Sequence, residues 1–317
     1  MSDRTVAAAP PALARPAGVR ARLRSVGRAL GSRRARLAYL TVIVVLLVWE
    51  GGKFLFGDPW RYKNLFGTGV NILWKPPFRL AFFDDIDLPH VWSIAAAFLA
   101  PWQRGQPLTL WQYLAGAALY TWREAALGFV AGALLGLLLA TFFVHSRLAE
   151  RALVPYVIAS QTIPIIALAP MIVFAFGQSV TSVVIVATYL TFFPVTIAMI
   201  RGLRSFDPRA LELMRSYAAS RREVYWRLRL PSSLPYLFIA LKIAATASIV
   251  GAIIGEGPGG IPNGLGRVIV TFNGYYITGP EKLWAAIIAS SILGLVFYGL
   301  IALAEHLTLR GRGPARI

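Results

Sequence analysis

Cysteine is absent from this chain, and histidine is scarce. A protein without cysteine has no disulfide framework, no thiol nucleophile and no thiolate metal site. The three histidines, His90, His145 and His306, form no ligand cluster, so the sequence predicts neither a metal site nor a cofactor. The sequence also lacks a G-x-x-x-x-G-K-[ST] motif, which leaves it without a recognisable ATP site of its own.

Acidic residues are also few: the 317 residues include 14 Asp and Glu against 32 Lys and Arg, a formal net charge of +18. A protein this basic is a candidate for binding nucleic acid. The apolar content points elsewhere, because hydrophobic residues make up 57% of the chain, against roughly 45–50% in a soluble protein. The composition therefore favours an all-α membrane protein.

Apolar runs near the ~20 residues that a bilayer requires predict about six transmembrane helices. They are Leu37–Phe56, Trp122–Val144, Leu153–Phe176, Val180–Ile200, Leu234–Gly255 and Leu283–Leu307. A further run, Val91–Ala100, is too short to cross and is predicted to form an interfacial helix. The fold class expected is a polytopic helical bundle.

Basic residues are concentrated on one side of these spans. Residues 1–36 contain 9 Lys and Arg, 145–152 contain 2, 201–231 contain 8 and 310–317 contain 3, whereas 53–121 and 256–282 on the other side contain 6 and 2. This positive-inside pattern predicts that both termini are cytoplasmic, in the plasma (inner) membrane. Since topology and anionic membrane lipid account for the basic excess, we expect no nucleic-acid partner.

The ends of the chain differ in composition from its middle. Residues 1–36 are rich in Arg, Ala and Pro and predict a disordered, basic cytoplasmic arm, with an organellar transit peptide as the alternative. Residues 37–109 would supply the first span and an external loop with the interfacial helix. A core at 110–309 and a cytoplasmic tail at 310–317 complete the predicted organisation.

Polar residues inside the predicted spans are few, and each is more often structural than functional. Prolines break the third span, and such breaks are tolerated where protein or a water-filled cavity surrounds them. The candidates for the substrate path are Gln161, Thr162, Pro164, Thr188 and Thr246. Lys242 is expected to reach the cytoplasmic surface, and Glu124 at an external end is expected to stay wet. No buried acid pair is visible, which argues against an ion-driven transporter.

Two glycine patterns have alternative interpretations. Gly128, Gly132 and Gly136 lie on one helix face and predict close packing, either within the chain or between subunits. Gly255-x-Gly257-x-x-Gly260 matches a dinucleotide fingerprint but follows a membrane helix rather than a strand. It is better interpreted as an external loop before a short helix, whose apolar face would be Leu265, Val268, Ile269, Phe272 and Tyr276.

The strongly basic loop between the fourth and fifth spans predicts two short helices joined by a tight turn. Asp207-Pro208 is a helix start, and Ser220-x-x-Glu223 is a capping box that opens the second helix. Leu230-Pro231 is expected to end that helix. The loop resembles the "EAA" loop of ABC importer permeases: Glu212 fits the acid, Ala218 stands where glycine is usual, and Leu228-Arg229-Leu230-Pro231 closes the motif at the right spacing. An alanine there would be strained at positive φ, so we expect either a negative φ or a bend one residue away.

From about Leu110 to His306 the chain resembles the transmembrane subunit of a type I, binding-protein-dependent ABC importer, most similar to the nitrate/sulfonate/taurine/bicarbonate branch. The resemblance implies a permease without its own ATPase activity, two copies of which form the path for a small solute such as nitrate, a sulfonate, taurine or a pyrimidine-like precursor. It also implies cytoplasmic ATP-binding subunits and a periplasmic or lipid-anchored binding protein. The coupling loop, residues 201–233, would dock on the ATPase through Glu212, Arg215, Tyr217, Ala218, Ala219, Ser220 and Arg221.

Two other classes remain as alternatives. A secondary carrier or channel whose basic loop binds lipid headgroups would require a charge at mid-membrane, and only Lys242 is available. A membrane-embedded enzyme would require clustered His, Asp or Glu at one depth, which the sequence does not show.

Overall fold

The computed structural model describes residues 33–62, 72–257 and 261–310. Most of the predicted basic arm and the tail beyond residue 310 lie outside these ranges. The chain divides into two compact units, the first ending at Asp84 and the second beginning at Asp85. The first predicted span falls in the first unit, and the other five fall in the second.

The first unit consists of a long helix followed by a hairpin. Its elements are α1 (Arg33–Phe56), the antiparallel strands β1 (Trp60–Tyr62) and β2 (Ile72–Trp74), and a 3-10 turn at Ala81–Phe83. Phe54 stacks on Trp74 with 4.4 Å between ring centroids, so the hairpin packs against the end of α1. Most of the apolar side chains of α1 are exposed, as expected for a helix that faces lipid.

Within the described residues, the regular secondary structure of the second unit is helical, apart from one isolated bridge between Pro101 and Thr109. Its elements are α2 (Val91–Leu99), α3 (Leu110–His145), α4 (Arg147–Ser160), α5 (Ile165–Phe176), α6 (Val180–Gly202), α7 (Pro208–Ser216), α8 (Arg221–Val224), a π-helical turn (Tyr225–Arg229), α9 (Leu230–Glu256), α10 (Leu265–Gly274), a 3-10 turn (Tyr276–Thr278) and α11 (Pro280–Leu309). By length and composition, five helical stretches of the described chain are able to cross a membrane, or six if α4 and α5 form one span.

The packing centre of this unit is α6, which lies between α3 and α9. A Cβ added to Gly132 on α3 would lie 2.6 Å from Cβ of Thr191, and one added to Gly136 would lie 2.6 Å from the carbonyl oxygen of Phe192. From α9, a Cβ on Gly251 would lie 2.8 Å from Cα of Ala187. The glycine face of α3 therefore packs within the chain, as one of the two interpretations predicted.

Two predicted spans differ from the observed helices. The second, expected from Trp122, begins at Leu110, where the Thr109 N–H donates to Oε1 of Gln112 at 3.1 Å and marks a helix start that a search for bilayer-length runs does not detect. The third, expected at Leu153–Phe176, is two helices bent by 96°. Pro164 is the N-cap of the second helix. Since proline lacks an N–H and disfavours helix in the residue before it, the chain turns here.

Replacing Gly132 with alanine tests the packing of α3 on α6. We expect Gly132→Ala to destabilise the protein by about 1–3 kcal/mol, because the added methyl overpacks a close helix contact. Gly294→Ala on α11 is the control, since that Cβ would meet no atom within 4 Å and alanine favours helix by up to about 1 kcal/mol. Thermal unfolding in detergent should therefore shift in opposite directions, and equal shifts would contradict this packing.

Candidate functional site

The coupling loop forms the predicted helix–turn–helix. The Asp207 side chain caps α7 by accepting a hydrogen bond from the Arg209 N–H at 2.9 Å. At α8 the Ser220 N–H donates to Oε2 of Glu223 at 2.8 Å, and the Glu223 N–H donates to Oγ of Ser220 at 3.3 Å. Both predicted helix starts are thus confirmed.

Ala218 adopts a left-handed conformation, with φ of 52°. The Ala218 N–H donates to the carbonyl of Arg215 at 2.9 Å and the Ala219 N–H to that of Met214 at 3.0 Å, the hydrogen-bond pattern of a Schellman helix end. Both of our expectations, a negative φ or a displaced bend, are therefore wrong. The two hydrogen bonds hold alanine in a conformation that glycine adopts without strain.

The second helix does not end at Leu230-Pro231, which corrects the sequence prediction. The chain is helical without interruption from Arg221 to Glu256. A π-helical turn at Tyr225–Arg229, in which the Leu230 N–H donates to the carbonyl of Tyr225, precedes the proline. A π turn widens the helix locally, which relieves the clash between the proline ring and the preceding turn. The loop is consequently continuous with α9.

The residues expected to contact an ATPase lie on an open surface. Glu212, Arg215, Tyr217, Ala218, Ser220 and Arg221 are exposed and Ala219 is half-buried. Within the described residues, the charged groups of Glu212, Arg215 and Arg221 form no ion pair, and Tyr217 is 79% exposed. The structure places these side chains together but does not test their role.

Side-chain contacts fix the base of the loop to the bundle. The hydroxyls of Tyr225 and Thr141 are 2.9 Å apart, which joins the π turn to α3. Arg204, just after α6, forms a bidentate ion pair with Glu150 on α4 through distances of 2.6 and 2.8 Å. A displacement of the loop would therefore act directly on α3 and α4.

The hydroxyl groups of the proposed path residues donate to backbone carbonyls. Thr162 donates to Ala159 and Thr246 to Ile243, both carbonyls of their own helical turns, whereas Thr188 donates across to Gly128 of α3. Gln161 is half-buried and Pro164 exposed. Lys242, expected to reach the surface, instead pairs with Glu305 of α11 at 2.7 Å. A carboxylate therefore neutralises this partly buried ammonium within the chain.

A buried acid pair lies where α3, α9 and α10 meet, which corrects two predictions. Glu124, expected to stay wet, is 1% exposed, and Glu256 is fully buried. The two carboxyl groups are close enough to interact, and the Tyr120 hydroxyl also lies within reach of Glu124. The signal was present in the sequence: Glu124 lies four residues before Gly128, on the face of α3 that the glycines predict to be buried.

The same junction seats α10 on the bundle. The Gly266 N–H donates to Oε2 of Glu256 at 2.7 Å, and the Leu265 N–H donates to Oγ1 of Thr121 at 2.8 Å. Gly264 has a φ of 97° and lies against the Glu256 carboxyl, where a Cβ would not fit. The predicted apolar face of α10 includes Leu265, Val268 and Phe272, which are buried, and Ile269, which is half-buried, whereas Tyr276 lies beyond the helix in the 3-10 turn. A cavity of about 400 Å³ beside it is lined by residues that include Tyr113, Tyr120 and Asn263.

Comparisons with known proteins agree with this architecture. Residues 132–309 match the family model described as the binding-protein-dependent transport system inner membrane component. The chain is 36% identical over 191 residues to the formylaminopyrimidine transport permease protein ThiX of Halalkalibacterium halodurans, covering 59% of this chain and 74% of that one. It is 30% identical to the riboflavin transport system permease protein RibX of Chloroflexus aurantiacus, covering 75% of this chain and 85% of that one. It is 27% identical to the taurine transport system permease protein TauC of Escherichia coli, covering 87% of this chain and 90% of that one.

A solved structure shares the fold. The crystal structure of an amino acid ABC transporter with histidines matches with a TM-score of 0.50 at 18% identity, covering 62% of this chain and 94% of that one. The helix bundle, the capped loop and the family match lead to one conclusion. This multi-pass membrane protein belongs to the binding-protein-dependent transport system inner membrane component family, the permease subunits of ABC importers.

Proposed function

We propose that this chain forms the translocation path of an ATP-driven importer in the inner membrane, in which separate cytoplasmic subunits hydrolyse ATP. Two copies of the chain enclose the path, and an external binding protein delivers the solute. The coupling loop docks on the ATP-binding subunit through the surface formed by Glu212, Arg215, Ala218 and Arg221. Movement of the docked loop then alternates the access of the path.

The observation that supports this mechanism most directly is the mechanical continuity of the loop. Its exposed helical turn ends in a Schellman motif at Ala218, so its conformation is fixed before any partner binds. From Arg221 the chain continues as one helical stretch into the bundle, and Tyr225 joins it to Thr141. A rigid, preformed element is suited to transmitting the closure of a partner without losing the displacement to local bending.

We propose the class of solute from the names of the related permeases. Their names specify formylaminopyrimidine, riboflavin, taurine, aliphatic sulfonates and nitrate. We propose a small solute from this range, with specificity determined mainly by the separate binding protein. The sparse polar lining of the spans is consistent with a path that admits a solute already selected elsewhere.

Changing the loop surface should separate the chain from its ATPase. We expect Ala218→Glu combined with Arg221→Glu to weaken co-purification of the ATP-binding subunit at least about tenfold, because the introduced carboxylates would be desolvated at the centre of the contact. The measurement is pull-down in detergent, with size-exclusion chromatography to show that the variant remains monodisperse. Arg201→Glu, exposed but outside the proposed surface, is the control. Normal co-purification and transport by the double variant would show that the contact is placed wrongly.

Relieving the backbone strain at Ala218 should stabilise the loop without disturbing docking. We expect Ala218→Gly to raise the free energy of unfolding by about 1 kcal/mol, since glycine adopts positive φ without a steric penalty. Ala219→Gly is the matched control: its φ is not positive, so the change should be neutral or destabilising. Thermal unfolding of both variants checks this, and ATPase co-purification should be unchanged for Ala218→Gly.

The orientation of the chain is proposed from its charge asymmetry. Since the chain contains no cysteine, single cysteines report topology without background labelling. We expect Ser216→Cys in the coupling loop to react with a membrane-impermeant maleimide only in inside-out vesicles, and Thr278→Cys after α10 only in right-side-out vesicles. Both side chains are exposed. The reverse pattern would overturn the proposed orientation.

A further inference from the structure

A cluster of charged residues lines a cavity of about 800 Å³ at the base of the coupling loop. It is formed where α3 ends and α4 begins, facing the segment that follows α6. The charged residues that line it are Arg147, Glu150, Arg151, Arg204 and Arg229, and the apolar ones are Val144, Val154, Pro155 and Phe206. Four guanidinium groups and one carboxylate thus share a cavity whose remaining wall is mostly hydrocarbon.

The single acid does not neutralise this cavity. Both oxygens of Glu150 are engaged by Arg204, at 2.8 and 2.6 Å. Arg229 donates to the carbonyl of Leu203 at 3.2 Å and lies 4.8 Å from the ring centroid of Phe206. Neither contact supplies negative charge to Arg229. With four guanidinium groups against one carboxylate, the cavity therefore keeps a net charge of +3.

Two of these charges are placed unfavourably for the helix that presents them. Arg147 is the first residue of α4, where the helix dipole disfavours a cation. Arg151 lies one turn later on the same face, and like charges at this spacing repel. Within the described residues, neither side chain forms an ion pair or a hydrogen bond. An anion bound between them would remove both penalties.

We infer that this cavity binds the phosphate headgroup of an anionic phospholipid. Guanidinium groups bind phosphate oxygens in bidentate geometry, and the apolar wall suits the glycerol and upper acyl chains. No residue of α4 is buried. Val154 and Pro155 line the cavity about one turn beyond Arg151, which provides an apolar path for the chains along the helix. A free phosphate offers the same oxygens but leaves that wall in contact with water.

The bound lipid would connect membrane composition to the coupling loop. Arg204 and Glu150 join the segment after α6 to α4, and Arg229 belongs to the π turn at the base of the loop. A headgroup bridging these arginines would hold the base of the loop in one position. The inference relies on the proposed function only for the cytoplasmic location of this end, which the cysteine labelling tests separately.

Native mass spectrometry of the full chain in detergent tests the site. Phosphatidylglycerol and phosphatidylcholine are titrated against the native chain, against Arg147→Gln/Arg151→Gln, and against Arg201→Gln/Arg209→Gln as a control with the same loss of charge outside the cavity. We expect the native chain and the control to prefer phosphatidylglycerol. The cavity variant should lose about 25-fold in affinity for it, from about 1 kcal/mol for each arginine near an anionic lipid.

Each other outcome would overturn the inference. Equal losses in the cavity variant and the control would show general surface electrostatics. Displacement of the lipid by millimolar inorganic phosphate or glycerol 3-phosphate would show that the ligand is a soluble anion. Arg147→Lys/Arg151→Lys retains the charge and checks folding; we expect it to recover part of the affinity, and full loss would contradict a charge-based site. The assay contains no ATPase, so failure of the coupling proposal would leave its result unchanged.

Discussion

The structure of this permease depends on the close approach of two helices to α6. Helices in lipid gain little from the hydrophobic effect, so their association relies on van der Waals packing where small residues let backbones meet. Gly132 and Gly136 of α3 supply this contact on one side, and Gly251 of α9 supplies it at Ala187. The three helices pack as one group because of these glycines.

The coupling loop and the buried acid pair are both attached to the group formed by α3, α6 and α9. Near one end, Tyr225 and Arg204 fix the loop to α3 and α4. At the junction with α10, the Glu256 carboxyl and the Thr121 hydroxyl accept backbone N–H groups of α10. A rotation of α3 or α9 about α6 would therefore move both regions together. This is the geometric basis on which a displacement of the loop reaches the junction with α10.

The sequence predicts the fold well because membrane helices leave long apolar runs, and helix caps leave local residue pairs. Asp207 and Ser220 were therefore identified correctly. The errors concern tertiary context. The left-handed Ala218 is imposed by hydrogen bonds that its sequence neighbours accept, and the helix passes Pro231 because a π turn precedes it. Neither the positive φ of Ala218 nor the continuation of the helix through Pro231 can be predicted from residue type alone. Glu124 was misplaced because its charge was given more weight than its position on the glycine face of α3.

The π turn at Tyr225–Arg229 also determines how far the exposed face of the loop is rotated relative to α9. A π turn contains about one residue more than an α-helical turn, and one residue corresponds to about 100° of rotation about an α-helix axis. The face that α8 presents outward is thus offset from the face of α9 that packs on α6. Loss of a single residue here would keep the helix continuous while turning the exposed face of the loop by roughly a quarter of a circle. The length of this turn, more than its side chains, therefore determines which direction the loop faces.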